Sequence, residues 1–504
     1  MSTIMQNFVL QGVDARTIDI EINSTFGKPM MAMIGLADQA IKESSERIKA
    51  AVIHSGYEIP KGKIVFNLAP ADMKKRGTHY DLAMALGLLV EDEQVVSTRI
   101  ESCIFFGELS LNGNLRRCKG ILPMIIAAKQ AGYSNIILPK ENLQEAALIE
   151  GLCIMGFSTL KEVVAFMEGN GELESYSSGG EVQPIKEVNG LSCDFSEVLG
   201  QQNVVEKAMI AAAGGHNILL IGEPGCGKSM IAKRIPTILP RMSKREALEV
   251  TKIYSVAGLL SDQGNLITNR PFRSPHHNAS LSALIGGGRN AMPGEISLAH
   301  NGVLFLDEMV EFSRKTLESL RQPIEDKIVQ ITRVNDVNTY PANFMLVAAM
   351  NPCPCGYAGT PKCQCSASQI HKYQQKLSGP IMNRIDIIVE VKPVDFLSEA
   401  KQVYSPASSM LKERVESARY IQRKRYKAYP TIHCNAQMTP QLAKEFCKLD
   451  DESIDYLKKV QDLGGLSARR YTRILRVART IADMNERENI AYEDVVDAVQ
   501  GIER

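Results

Sequence analysis

Apolar residues follow one rhythm before residue 172 and another after it. In residues 1–172, strand-like runs at 18–22, 63–68, 102–106 and 135–138 alternate with helix-like stretches. Residues 37–55 place Ile41, Ile48 and Val52 on one helical face, and residues 120–131 form a second helix. Gly132 stops that helix, because glycine enters left-handed backbone without a steric penalty. A mixed α/β domain is predicted. The segment 168–184 is rich in Gly, Ser and Glu with almost nothing to bury, and a flexible linker is expected at 173–188. From 189 to 392 the apolar runs become continuous, at 217–222, 302–307 and 343–350. Short all-apolar strands followed by helices indicate a parallel sheet covered on both faces. From 393 to 504 the strand signal vanishes, and a helical domain is expected.

Size and composition narrow the class. A chain of 504 residues exceeds what one core supports, and 44% apolar with 23% charged residues is ordinary for a globular protein. The net charge of +1 means that any nucleic-acid contact needs a local basic stripe. The first residues, MSTIMQNFVLQGVDAR, lack the basic start and apolar core of a secretory signal. No run approaches a membrane span. Eleven cysteines without a signal suggest a reducing, cytoplasmic location, where thiols stay free or bind metal.

Chemistry concentrates where the continuous strands end. Gly222-Glu223-Pro224-Gly225-Cys226-Gly227-Lys228-Ser229 fits G-x-x-x-x-G-K-[ST], with an apolar strand entering and a helix leaving. Such glycines let backbone N–H groups curl around phosphates, while Lys228 reaches the β- and γ-phosphates and Ser229 ligates Mg²⁺. A second strand, Val303-Leu-Phe-Leu, ends in Asp307 and Glu308. Asp307 would anchor Mg²⁺ through water and Glu308 would polarise the attacking water. Asn351 follows the next strand and is placed to orient that water or the γ-phosphate.

This order of loop, acidic strand and strand-tip Asn resembles the AAA+ ATPases. Arg270-Pro-Phe-Arg-Ser-Pro-His-His277, Pro293-Gly-Glu-Ile-Ser-Leu-Ala-His-Asn-Gly302 and Ser378-Gly-Pro-Ile-Met-Asn-Arg-Ile-Asp386 resemble the magnesium-chelatase-like branch, and within it the YifB/ComM group. The resemblance implies an insertion near 255–294 and a hairpin near 328–340, both facing the pore of a ring. It implies that Arg384 is an arginine finger donated across a subunit interface, which makes activity depend on a homo-oligomeric, hexameric ring. It matches Arg469 to the second sensor, closing a helical lid over the γ-phosphate. The fold class implied is an AAA+ P-loop core with a parallel sheet, an N-terminal Lon-protease-like α/β domain and a C-terminal helical lid. The function implied is a DNA motor on single-stranded or branched DNA, a helicase promoting branch migration in natural transformation or recombination. The alternatives are a metal-insertion motor of the magnesium-chelatase type and a protein-remodelling ATPase.

Other features remain. Cys353, Cys355, Cys363 and Cys365 form two CxC pairs on a Gly/Pro-rich turn, where four thiolates could hold a structural Zn²⁺ or remain reduced thiols. His276 and His277 read as pore-loop or packing residues, because adjacent side chains are expected to diverge. Residues 105–113, followed by an apolar helix, resemble the Lon protease domain. At the family's catalytic positions the segment 75–84 has no serine and 120–128 has no lysine. A scaffold or DNA-engaging role is therefore expected in place of peptidase chemistry. Residues 410–427 carry an apolar stripe of Leu411, Val415, Ala418 and Ile421 beside Arg419, Arg423, Lys424, Arg425 and Lys427. They read equally as a phosphate-contacting face or a solvated one.

Overall fold

Alternation builds the first sheet. In β1 (Thr3–Gln11) and β2 (Asp14–Thr25), Ile18, Ile20 and Ile22 are buried while Asp19 and Glu21 stay partly exposed. These strands form a hairpin, and β3 (Met30–Ile34) and β4 (Lys63–Ala69) complete a sheet ordered β1-β2-β4-β3. The computed structural model describes residues 2–96, 99–170, 175–177, 193–260, 265–288, 291–333, 336–394, 404–463 and 466–502. Helix α1 (Gln39–His54) is capped by the Asp38 carboxylate, which accepts from the Ile41 N–H. Its residues Ile41, Ile48 and Val52 are all buried. Helix α2 (Asp81–Glu91) is apolar all round and must be buried on every side, and Leu82 to Leu86 are fully inaccessible. A Cβ on Gly87 would fall 2.2 Å from Ile22 Cδ1, so only glycine lets this helix lie so close to the sheet.

A second sheet joins β5 (Cys103–Phe105), β6 (Asn135–Pro139) and β7 (Cys153–Phe157) in parallel, and α3 (Ile121–Gln130) packs into the same core. Its edge strand β8 (Ser175–Ser177) pairs antiparallel with β7. That strand falls inside the expected linker. A ladder uses backbone groups alone, so a segment poor in apolar residues can still pair at a sheet edge. The rest of the expected linker, residues 173–174 and 178–188, lies outside the described residues.

The second unit carries five parallel strands. These are β9 (Ile218–Gly222), β10 (Phe272–Arg273), β11 (Val303–Leu306), β14 (Met345–Met350) and β15 (Ile387–Val391). They lie in the order β10-β11-β14-β9-β15, and an antiparallel hairpin of β12 (Ile328–Arg333) and β13 (Asp336–Pro341) precedes β14. Strands β9, β11 and β14 are wholly buried, which explains their continuous apolar runs. Strand β15 was not among the expected runs. It lies at the sheet edge and exposes Glu390, so its run is broken. Around the sheet lie α4 (Gln202–Gly214), α5 (Lys228–Ile238), α6 (Lys244–Ala257) and α7 (Ala367–Gln374). Residues 261–264 and 289–290 of the expected insertion and 334–335 of the hairpin lie outside the described residues.

The C-terminal part is helical, as its periodicity indicates: α8 (Ser408–Arg425), α9 (Pro440–Phe446), α10 (Asp451–Asp462), α11 (Ala468–Met484) and α12 (Tyr492–Ile502). One apolar core joins Leu411, Val415, Ala418 and Ile474 to Ile218 and Leu220 of β9. Gln422, rather than the expected Ile421, completes the buried stripe of α8. Its amide is satisfied there, donating to Ala213 O at 3.1 Å and accepting from the Asn435 N–H at 3.1 Å. The two α/β units touch through α3 and α6, where the Gly120 N–H donates to Ser255 O at 3.0 Å and Lys252 pairs with Asp14 at 2.8 Å. Among the described residues no helix is long and apolar enough to cross a membrane.

Candidate active site

Three neighbouring strands, β9, β14 and β11, deliver their carboxyl ends side by side. After β9 the chain turns through Gly225 (φ 79°) and Gly227 (φ 93°) into α5, left-handed positions that glycine takes cheaply. A Cβ on Gly225 would meet nothing within 4 Å, so the outer side of the loop is open. Lys228 is buried, and its Nζ donates to Gly222 O at 2.7 Å, Glu223 O at 2.7 Å and Asn351 Oδ1 at 3.2 Å. The ammonium is thus held at the loop among oxygen acceptors that a phosphate oxygen can replace. Cys226 is buried behind it, and Pro224 is exposed. Ser229 Oγ donates to Asp307 Oδ2 at 2.7 Å. A hydroxyl and a carboxylate in this register are hard oxygen donors that fit Mg²⁺, which takes few protein ligands and keeps several waters.

Glu308 has a left-handed backbone (φ 49°), and its N–H donates to Asp307 Oδ1 at 2.9 Å. Its exposed carboxylate meets His277, whose Nδ1 lies 3.4 Å from Glu308 Oε2. His277 therefore belongs to the site, which sequence reasoning missed. Its signal was position: it follows β10, the strand beside β11, but β10 is only Phe272–Arg273 and too short to read. The rings of His276 and His277 lie 4.2 Å apart at 34°, contrary to the expected divergence. They sit in irregular backbone after β10, where the alternation of a strand does not apply.

The two arginines lie elsewhere. Arg384 precedes β15, at the amino end of the sheet, where the Asp386 N–H donates to Asn217 O just before β9. Its Nη1 donates to Pro380 O at 2.6 Å, its Nη2 pairs with Glu325, and its buried Nε has no hydrogen-bond partner among the described residues. Arg469 is exposed in the first turn of α11, one turn before Arg473, whose Nη1 donates to Ile385 O at 2.6 Å. Arg384 and Arg469 line one cleft with Asn217, Gly302 and Met345, the residues at the amino ends of the strands, and with none of the Gly222–Ser229 loop. Four to six strand residues, roughly 13–20 Å, separate the two ends of the sheet. Arg469 is thus placed away from the Gly222–Ser229 loop of its own chain, because α11 docks on the Arg384 loop.

The cysteines between β14 and α7 gather with all four sulfurs within 4.8 Å of one another, a donor set compatible with structural zinc. All eleven cysteines are free thiols. In the N-terminal unit, Thr78 donates to Glu108, and burial pushes His79 down to about 4, so it stays neutral against Phe8 O. The basic helix α8 is less basic outside than its sequence suggests. Arg425 is a partner of the buried Asp483, at 2.8 Å through Nη1, and Arg419 donates to Ala212 O at 3.1 Å and His433 O at 3.2 Å. Their long side chains fold back onto the core, leaving Arg423, Lys424 and Lys427 exposed.

Family models cover most of the chain. The one described as magnesium chelatase, subunit ChlI, matches residues 194–399, with models for subunit ChlI at 20–142 and for its C-terminal part at 405–501. YifB of Escherichia coli is 42% identical over 97% of this chain and 94% of its own. Competence protein ComM of Haemophilus influenzae is 38% identical over 97% and 95%. The chain belongs to the magnesium-chelatase-like family. Membership of this AAA+ family suggests an ATPase that takes ATP with Mg²⁺, and the donors around Lys228 fit both. An archaeal Lon protease of Methanothermobacter thermautotrophicus is 36% identical over 81 residues, 16% of this chain and 12% of its own. The mixed α/β architecture with parallel sheets agrees with both likenesses.

Proposed function

We propose that the protein is an ATP-hydrolysing ring motor that moves along or remodels DNA, driving branch migration as a hexamer. The observation that carries the ring is the division of labour across one sheet. Phosphate-binding and water-activating groups stand at the carboxyl ends, and Arg384 and Arg469 stand at the amino ends of the same strands. A head-to-tail neighbour brings its amino-end arginines to this subunit's phosphates, and the same contact repeated closes a ring.

Within that reading, loop amides and Lys228 bind the β- and γ-phosphates. Ser229 and Asp307 would hold Mg²⁺, which would supply charge neutralisation at the phosphates. Glu308 accepts a hydrogen bond from the attacking water and takes its proton as the water oxygen bonds to the γ-phosphorus and the bond to the bridging oxygen breaks, releasing ADP, with Asn351 fixing the water's direction. Arg384 exchanges Glu325 for the transferring phosphoryl group of the neighbouring site.

The DNA step rests on the likeness to competence protein ComM and on the exposed Arg423, Lys424 and Lys427. Its test is the ATPase rate alone and with single-stranded, duplex and four-way-junction DNA. Stimulation, strongest with single-stranded or branched DNA, together with ATP-dependent junction movement, is the expected outcome. A competent ATPase that no DNA stimulates and that leaves the junction intact would transfer the reading to metal insertion, which the chelatase likeness favours.

A further inference from the structure

The four cysteines do more than share a loop. Cys353 Sγ lies 3.3 Å from Cys355 Sγ and 3.9 Å from Cys363 Sγ, and Cys355 lies 3.7 Å from Cys363. Disulfide sulfurs stand about 2.0 Å apart, so none of these contacts is a covalent bond. Four thiolates at about 2.3 Å from one zinc ion define a tetrahedron with edges of about 3.8 Å. The three distances among Cys353, Cys355 and Cys363 bracket that value, and Cys365 Sγ lies within 4.8 Å of the other three. They also leave no room for the bridging sulfides and several irons of a cluster.

The place of the cluster matters as much as its shape. Cys353 is fully buried two residues beyond Asn351, the acceptor for Lys228. Gly356 takes φ 89°, and a Cβ there would lie 2.6 Å from both Cγ and Cδ of Pro224 in the phosphate loop. From the other side, Gln374 Nε2 donates to Pro352 O at 3.4 Å, tying α7 to the base of the turn. The cysteine turn is thus wedged between the two segments that meet at Lys228.

We propose that Cys353, Cys355, Cys363 and Cys365 bind one Zn²⁺ as thiolates, releasing four protons to solvent, and that this ion braces Asn351 and the phosphate loop so that metal content sets ATP binding. The bracing half rests on the reading of Lys228 as the phosphate ligand, whereas the metal half stands without it. With the ion in place the turn cannot spread, and Gly356 stays seated against Pro224. Without it, nothing covalent or ionic holds the two CxC pairs together, and Asn351 and Pro224 lose their common support.

Elemental analysis of the full chain, purified under reducing conditions, should find about one zinc per chain. Iron in its place, or no metal in a preparation that binds ATP fully, overturns the assignment. Cys363→Ser with Cys365→Ser should lose the zinc and weaken binding of a fluorescent ATP analogue roughly tenfold. Because that variant could misfold, the wild-type chain is also stripped with a thiol-displacing mercurial, reduced and reloaded with ZnCl₂. Recovery of ATP affinity on reloading supports the brace, and unchanged affinity across stripping and reloading refutes it. Lys228→Ala should lose ATP binding yet keep its zinc, which separates a failure of the ATP-site reading from a failure of the metal site.

Discussion

The carboxyl and amino ends of one five-stranded sheet are built by opposite strategies. At the carboxyl ends each functional group follows its own strand within a few residues: Lys228 after β9, Asp307 and Glu308 after β11, Asn351 after β14. Parallel strands in adjacent register bring these short strings together with no further instruction. At the amino ends, Arg384 and Arg469 come from segments 85 positions apart, and a helix of the lid must dock on a core loop to unite them. The carboxyl end is preorganised by the backbone. The amino end is preorganised by packing, and in the proposed ring its groups would act on a neighbour's phosphates.

The largest expected effect tests that contrast. Arg384→Ala should bind ATP normally and hydrolyse it about 10³-fold more slowly, because a trans-acting arginine carries transition-state charge. Mixing it with Lys228→Ala should restore turnover, since one interface type then holds a sound loop and a sound arginine. The same mixture made with Arg469→Ala is the sharper experiment. Recovery places Arg469 with Arg384 as a trans-acting group, and no recovery at any ratio returns it to its own subunit's nucleotide. Next in size, Glu308→Gln should retain ATP and lose about 10²-fold in turnover, the ordinary cost of removing water activation. A rate near wild type in that variant would move the base elsewhere.

What the sequence made legible follows the same division. The phosphate loop, Asp307, Glu308 and Asn351 could be read because their chemistry is local and the strands behind them are uniformly apolar. Strand β15 could not, because an edge strand that exposes Glu390 breaks its own pattern. Strand β8 could not, because a ladder of backbone groups leaves no mark in composition. Arg384 and Arg469 were named only through family likeness, and their common cleft is a fact of tertiary docking that no window of sequence contains. The partnership of His277 with Glu308 was hidden for the same reason, since it depends on β10 lying beside β11.

That partnership supplies a smaller test. His277 touches the carboxylate expected to activate water, so it positions Glu308 without touching phosphate. His277→Ala should change basal turnover a few-fold, roughly the 1 kcal/mol upper range of a solvent-exposed ion-pair contact. The change should fall in kcat with the affinity for ATP unmoved. An altered ATP affinity with unaltered kcat would make His277 a packing residue of its loop, and the site would then lie at the strand ends alone.

The smallest expected effect concerns helix α8, where charge counted from sequence and charge available to a partner differ. Arg423 and Lys424 are exposed, while Arg425 is committed to Asp483, which is fully buried. If α8 binds phosphates, Arg423→Gln with Lys424→Gln should flatten the log–log dependence of DNA affinity on salt by up to about two, close to one unit for each phosphate no longer neutralised. Basal ATP hydrolysis should stay unchanged, because neither residue belongs to the carboxyl-end site. Arg425→Gln is the control that gives the experiment its meaning. It too removes a formal charge, yet it should leave the salt slope alone and instead destabilise the lid by about 1.5–3 kcal/mol, since the buried Asp483 loses one charge-assisted partner while Arg479 and Asn435 remain. Thermal unfolding reads the second effect and a binding titration at several salt concentrations reads the first. A slope unchanged by the double variant would remove α8 from the DNA path. A slope changed by Arg425→Gln at intact stability would mean that the Asp483 pair opens when DNA binds.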